Sequence, residues 1–146
     1  MKIELTIERL IEEAKQFCSK ESKYRNKDLY GVTDGKAVGT HIEHKFQEVL
    51  KKKYLYTTGS AGLGIDFPDE HINTDIKVTS IAQPQSSCPF RDARQKIYGL
   101  GYNLLLFVYE KTDDPKTRTA ILNFKSCSFI NKERTGDYQT QNQSFK

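Results

Sequence analysis

A chain of 146 residues is long enough for one modest hydrophobic core and short for two. Lys and Arg outnumber Asp and Glu by 23 to 19, a net charge of +4 that suits a polyanionic partner without requiring one. Cys18, Cys88 and Cys127 are odd in number and lack the close pairing of zinc ligands, and no apolar run reaches the length of a membrane span, so the expectation is a soluble cytoplasmic protein with reduced thiols.

From Leu5 to about Ser19, the residues Ile7, Leu10, Ile11, Ala14, Phe17 and Cys18 recur at helical spacing. Glu8, Glu12, Glu13, Lys15 and Gln16 fill the opposite side, so an amphipathic helix is predicted. Residues 19–38 have no periodicity and read as a loop or short elements, in which Tyr24, Arg25, Lys27 and Tyr30 offer either stacking and phosphate contacts or a solvated face. A second helix is predicted from near Thr40 to about Lys53, with Ile42, Phe46, Val49 and Leu50 buried. Thr40-His-Ile-Glu43 fits a capping box, in which the acid satisfies a backbone donor at the helix start. Glu43 also flanks the apolar stripe and can lean toward a sheet, so two roles stand for it. His41 and His44 read as surface residues, because no second metal-like pair accompanies them.

Tyr54–Thr58 is a predicted strand, followed by the glycine-rich 59–64, which makes a turn or lets a ligand approach the backbone. Residues 64–80, Gly-Ile-Asp-Phe-Pro-Asp-Glu-His-Ile-Asn-Thr-Asp-Ile-Lys-Val-Thr-Ser, then read as two short strands joined by a polar turn. Ile76 and Val78 share one face of the second strand and Asp75 and Lys77 the other, about 6 to 7 Å apart. If the arms pair antiparallel, Asp66 lies opposite or nearly opposite Asp75. Two acids then meet over one Lys, which is costly without a cation between them. Hard carboxylate oxygens suit Mg²⁺, which binds through one or two acids plus phosphate oxygens. Asp69 is a substitute for Asp66, although it falls in the turn, with only five residues between it and Asp75.

Asp66, eight intervening residues and Asp75-Ile-Lys77 together resemble the PD-(D/E)XK nuclease superfamily, and the setting is most similar to type II restriction endonucleases. The resemblance covers roughly residues 40–110. It implies an α/β domain with a small mixed sheet flanked by helices, in which Asp66 and Asp75 ligate Mg²⁺ beside a scissile phosphate of double-stranded DNA. It also implies that Lys77 orients the attacking water. Gly39-Thr-His-Ile-Glu43 looks like the segment in which a family acid reaches the metal, directly or through water.

After Ser80 the chain is polar and broken by proline, so a loop is predicted, where Gln83, Gln85, Ser86 and Ser87 either contact DNA or simply solvate the turn. A helix from about Pro89 to Tyr98 carries Arg91 and Arg94 on a cationic side that holds a phosphate strand or faces water. Tyr102–Tyr109 contains the run Leu104-Leu-Leu-Phe-Val, expected as a strand buried on both faces and parallel to the Lys77 strand. A turn at Thr112–Lys116 leads to a strand over Thr117–Phe124, which Cys127–Ile130 extends. One domain over residues 1–130 and a polar, irregular tail over 131–146 are expected.

The resulting expectation is a Mg²⁺-dependent restriction endonuclease. A homodimer with one site per subunit would serve to cut both strands. Two rivals remain: a structure-selective repair or junction-resolving nuclease, and a noncatalytic nucleic-acid-binding module in which the acids and Lys77 are ordinary ion pairs.

Overall fold

The computed structural model describes residues 1–59, 64–82 and 101–132. The elements run β1 (Ile3–Glu4), α1 (Ile7–Glu21), α2 (Gly35–Lys53), β2 (Tyr54–Leu55), β3 (Thr74–Ser80), β4 (Asn103–Asp114) and β5 (Thr119–Ile130). The class is α/β, as expected: β3, β4 and β5 form a mixed sheet, with β3 and β4 parallel and β4 and β5 antiparallel. The predicted helix after Pro89, together with Gln83, Gln85, Ser86, Ser87, Cys88, Arg91 and Arg94, lies outside the described residues, as do residues 133–146. Among the described residues no helix is long and apolar enough to cross a membrane.

Helix α1 begins where Thr6 accepts a hydrogen bond from the Arg9 amide at 3.2 Å, and it buries Leu10, Ala14, Phe17 and Cys18. Glu13, expected on the solvent side, is buried instead. Lys53 Nζ at 3.1 Å and the Tyr54 hydroxyl at 2.6 Å both donate to its carboxylate, so the charge is matched where the two helices meet. Helix α2 starts at Gly35 rather than near Thr40, because Asp34 caps it by accepting from the Lys36 amide at 3.0 Å. Glycines at 35 and 39 hide this first turn from hydrophobic periodicity. Gly39 packs closely on β3, where an added Cβ would sit 3.5 Å from the Val78 carbonyl.

Phe17, Phe46, Phe107 and Phe124 join both helices to β4 and β5. Ring centroids are 5.2 Å apart for Phe17 and Phe46, 5.5 Å for Phe46 and Phe107, and 5.9 Å for Phe107 and Phe124. Ile76, Val78, Leu105, Phe107, Ala120 and Leu122 belong to this core. By strand alternation, Asp75 and Lys77 project from the opposite face, beside Leu104 and Leu106 in the parallel register.

Several boundaries differ from the sequence reading. The strand predicted at Tyr54–Thr58 stops at Leu55 and pairs with β1, a two-residue strand too short to leave a periodic signal. Beyond it, the Thr57 amide donates to Asp69 Oδ2 at 2.8 Å and the Gly59 amide to the Asp66 carbonyl at 3.1 Å, so residues 57–59 lie along the loop that carries Asp66. The turn predicted at Thr112–Lys116 comes later: β4 continues through Asp114, whose carbonyl accepts from the Arg118 amide at 2.8 Å. Strand β5 then runs unbroken to Ile130, with a register shift opposite Val108 and Tyr109.

Candidate active site

The turn before β3 is tied at Asp69, whose carbonyl accepts from the Ile72 amide at 2.9 Å and the Asn73 amide at 2.7 Å. Phe67 and Thr74 then exchange backbone hydrogen bonds of 2.9 and 3.1 Å as an isolated antiparallel bridge. The first arm, expected as a strand, goes no further than that bridge. Its next rungs are taken over by side chains: the Asp66 amide donates to Asp75 Oδ1 at 3.2 Å, and the Ile76 amide donates to Asp66 Oδ2 at 2.9 Å. The Asp66 carboxylate thus takes the Ile76 amide that a backbone carbonyl of the first arm would take in a continuing ladder. Asp66 and Asp75 therefore face each other, as the antiparallel reading expects.

Lys77 Nζ lies 3.6 Å from Asp75 Oδ2, with the Lys side chain about a third exposed and that of Asp75 nearly buried. Burial pushes the Asp75 carboxyl well above the ordinary carboxylate range; the hydrogen bond with Asp66 and the Asp66 charge add to this, and Lys77 opposes it. Glu43, half-buried on α2, is pushed up to about 7 by burial first and by the Asp66 charge second, again against Lys77. Strand β3 ends the described order β3-β4-β5, so a residue flanking the buried stripe of α2 reaches the edge where Asp66 crosses. The capping role for Glu43 is overturned, because Asp34 caps the helix and Thr40 lies inside it.

The structure thus brings Asp66, Asp75, Lys77 and Glu43 together and leaves Asp69 out. The Asp69 carboxylate is held by Thr57 and lies below its ordinary range for that reason. His41 and His44 line a separate cavity of about 570 Å³ together with Tyr24, Arg25 and Lys45. Several side chains of that loop region have partners within the chain: Arg25 meets Asp114 at 3.3 Å, Lys45 covers the Tyr24 ring at 3.6 Å, and Arg118 stands 5.3 Å from the Tyr30 ring. Tyr102, not singled out by sequence reasoning, joins the site through the β3–β4 register, and the charges of Asp75 and Lys77 both act on its phenol. Gly59 was recognised only as part of a flexible stretch. An added Cβ there would collide with the Ile65 carbonyl, so its bare backbone is what lets residues 57–59 close on Asp66.

Among the described residues no group of three or more His, Cys, Asp or Glu side chains is arranged to hold a metal ion. Two opposed acids are nonetheless a donor set suited to a hard divalent cation, which takes one or two protein carboxylates and completes its shell with water and phosphate. The proton affinity of Asp75 is raised by burial first and then by the facing Asp66 carboxylate, which a cation at that position would oppose.

A family profile described as Type II restriction enzyme NspV matches residues 4–146, a span that includes every residue of the site. The chain belongs to the NspV family of type II restriction enzymes. Type II restriction enzyme NspV from Nostoc sp. (strain ATCC 29411 / PCC 7524) is 56% identical to it over 135 residues. That alignment takes in 92% of this chain and 60% of the NspV relative, so the chain spans about three fifths of the relative's length. No solved structure matches the chain.

Proposed function

We propose that this chain is a Mg²⁺-dependent endonuclease of the PD-(D/E)XK type that hydrolyses phosphodiester bonds in double-stranded DNA as a restriction enzyme. The observation that carries the reading is the crossed hydrogen bonding of Asp66 and Asp75, with Lys77 beside it and Glu43 at its edge. Membership of the NspV family supports the substrate class.

Asp66 and Asp75 are the residues that would hold the cation, with Glu43 assisting directly or through water. Bound there, a divalent cation supplies Lewis acidity toward the phosphate and toward water. Crossed bonds to the Asp66 and Ile76 amides fix both carboxylates before substrate arrives, so little reorganisation is left for the reaction. Lys77 orients the attacking water and offsets negative charge building on the phosphate. Water attacks in line and gives up a proton to solvent, its oxygen bonds to phosphorus, and the opposite P–O bond breaks as the leaving oxygen takes a proton from solvent. On sequence grounds, Gln83, Gln85, Ser86, Ser87, Arg91 and Arg94 are assigned to DNA contact, and two copies of the chain, one site each, to cutting both strands.

The test is incubation of mixed-sequence plasmid DNA with Mg²⁺ or with EDTA, followed by sequencing of the ends. Discrete fragments that form only with Mg²⁺, and not with Lys77→Ala, are expected. Duplex binding without cleavage, at equal affinity in the native chain and Lys77→Ala, would instead identify a noncatalytic binding module. Cleavage directed to branched DNA regardless of sequence would identify a repair-type nuclease.

A further inference from the structure

Tyr102 stands immediately before β4, and the chain on both sides of it is fastened to the turn that delivers Asp75. Asn73 Nδ2 donates to the Gly101 carbonyl at 3.0 Å, the Asn103 amide to the Asn73 carbonyl at 2.8 Å, and Asn103 Nδ2 to the Ile72 carbonyl at 2.9 Å. Asn73 (φ 45°) and Gly101 (φ 67°) both adopt the left-handed conformation. Asn tolerates that region and Gly enters it without steric cost, so the two turns can bend back to meet.

The ring of Tyr102 packs on Leu104 and Ile130, and Leu104 is the register partner of Asp75. The phenol therefore shares the sheet face of Asp75 and Lys77. It is half-buried, and its hydroxyl makes no hydrogen bond to another described residue. Like any phenol it is a protonated donor at neutral pH. A donor held this firmly, on the lip of an acid and lysine cluster and without a protein acceptor among those residues, is placed for an acceptor that arrives from outside. For a nuclease, that acceptor is a phosphate oxygen.

We propose that the Tyr102 hydroxyl is a further substrate-binding group, donating to a backbone phosphate of the DNA strand beside Asp75 and Lys77. The inference rests on the nuclease reading. Tyr102→Phe keeps the ring on Leu104 and Ile130 and removes only the donor. Its affinity for a fluorescent duplex is measured in EDTA, its kcat/KM in Mg²⁺, and its melting temperature alongside.

The expected result is a roughly three- to thirtyfold loss of affinity in EDTA with a similar loss of kcat/KM, at an unchanged melting temperature. Wild-type binding and cleavage by Tyr102→Phe, with only Tyr102→Leu impaired, would show that the ring serves packing and overturn the proposal. So would lost cleavage at unchanged affinity, or a melting temperature that falls with the activity. A native chain that neither binds nor cuts DNA counts against the nuclease reading itself, whereas a competent native chain matched by Tyr102→Phe counts against this inference alone.

Discussion

Asp66 and Asp75 are held together by crossed hydrogen bonds, the Asp66 amide donating to Asp75 Oδ1 at 3.2 Å and the amide of Ile76, next to Asp75, donating to Asp66 Oδ2 at 2.9 Å. Two carboxylates are thereby held face to face, an arrangement relieved by a cation or by a proton. Mg²⁺ at about 100 times its dissociation constant should stabilise the native chain by about 2.7 kcal/mol, or roughly 5 to 10 °C in melting temperature. Asp66→Asn should lose that shift while melting at or above the native chain in EDTA. An Asp66→Asn protein still stabilised by Mg²⁺ as the native chain is would remove Asp66 from the metal site.

Acidity acts on the same groups in a definite direction. Glu43, with an ordinary value of 4.5, is raised to about 7 chiefly by burial, and Asp75, ordinarily 3.8, is raised by burial and by Asp66. Between roughly 4 and 7 the folded chain therefore binds protons that the unfolded chain has released, so stability in EDTA falls as pH rises through that window and levels off above it. Melting curves from pH 4 to 8 should show the decline, and Glu43→Gln should flatten its share. A rise in stability across the window would contradict the assignment.

Removal of the Lys77 ammonium should strike the chemical step. Lys77→Met keeps most of the apolar stem, and kcat should drop by a factor on the order of 10² to 10³ while duplex affinity changes little. A variant retaining more than about a tenth of native kcat would assign Lys77 to a structural ion pair with Asp75.

Helix α2 offers a test of what Glu43 is for. Asp34→Ala should cost about 1 kcal/mol in urea unfolding through loss of the cap, whereas Thr40→Ala should cost almost nothing. Equal costs at the two positions would restore the capping box and with it the purely structural reading of Glu43.

At Gly59 the prediction is steric. An added Cβ would meet the Ile65 carbonyl, so Gly59→Ala should destabilise by roughly 1 to 3 kcal/mol and displace Asp66, lowering kcat beyond what the stability loss explains. Native stability and rate in that variant would show that residues 57–59 do not brace the site.

Tertiary structure reversed some assignments that local pattern had made. Glu13 looks like a solvent-facing acid in a helical repeat, yet Lys53 and Tyr54, some forty residues on, draw it inside. Thr40 and Glu43 have the spacing of a capping box, yet the chain becomes helical five residues earlier because Asp34 is free to cap. Such outcomes depend on partners distant in sequence, which no local window contains.

Alternation and punctuation were sufficient to mark β3, β4 and the two helices, and the ordering of Asp66, Asp75 and Lys77 was written in a period of two around a turn. Those features are local: a side chain's face on a strand follows from its parity, and Pro68, Asp69 and Asn73 impose the reversal whatever surrounds them. The meeting of Glu43 with that trio, the presence of Tyr102 beside Asp75 and the need for a bare backbone at Gly59 were decided only by packing and register. Each depends on how far one segment slides along another, and that distance is set by the summed contacts of the core rather than by any residue of the site.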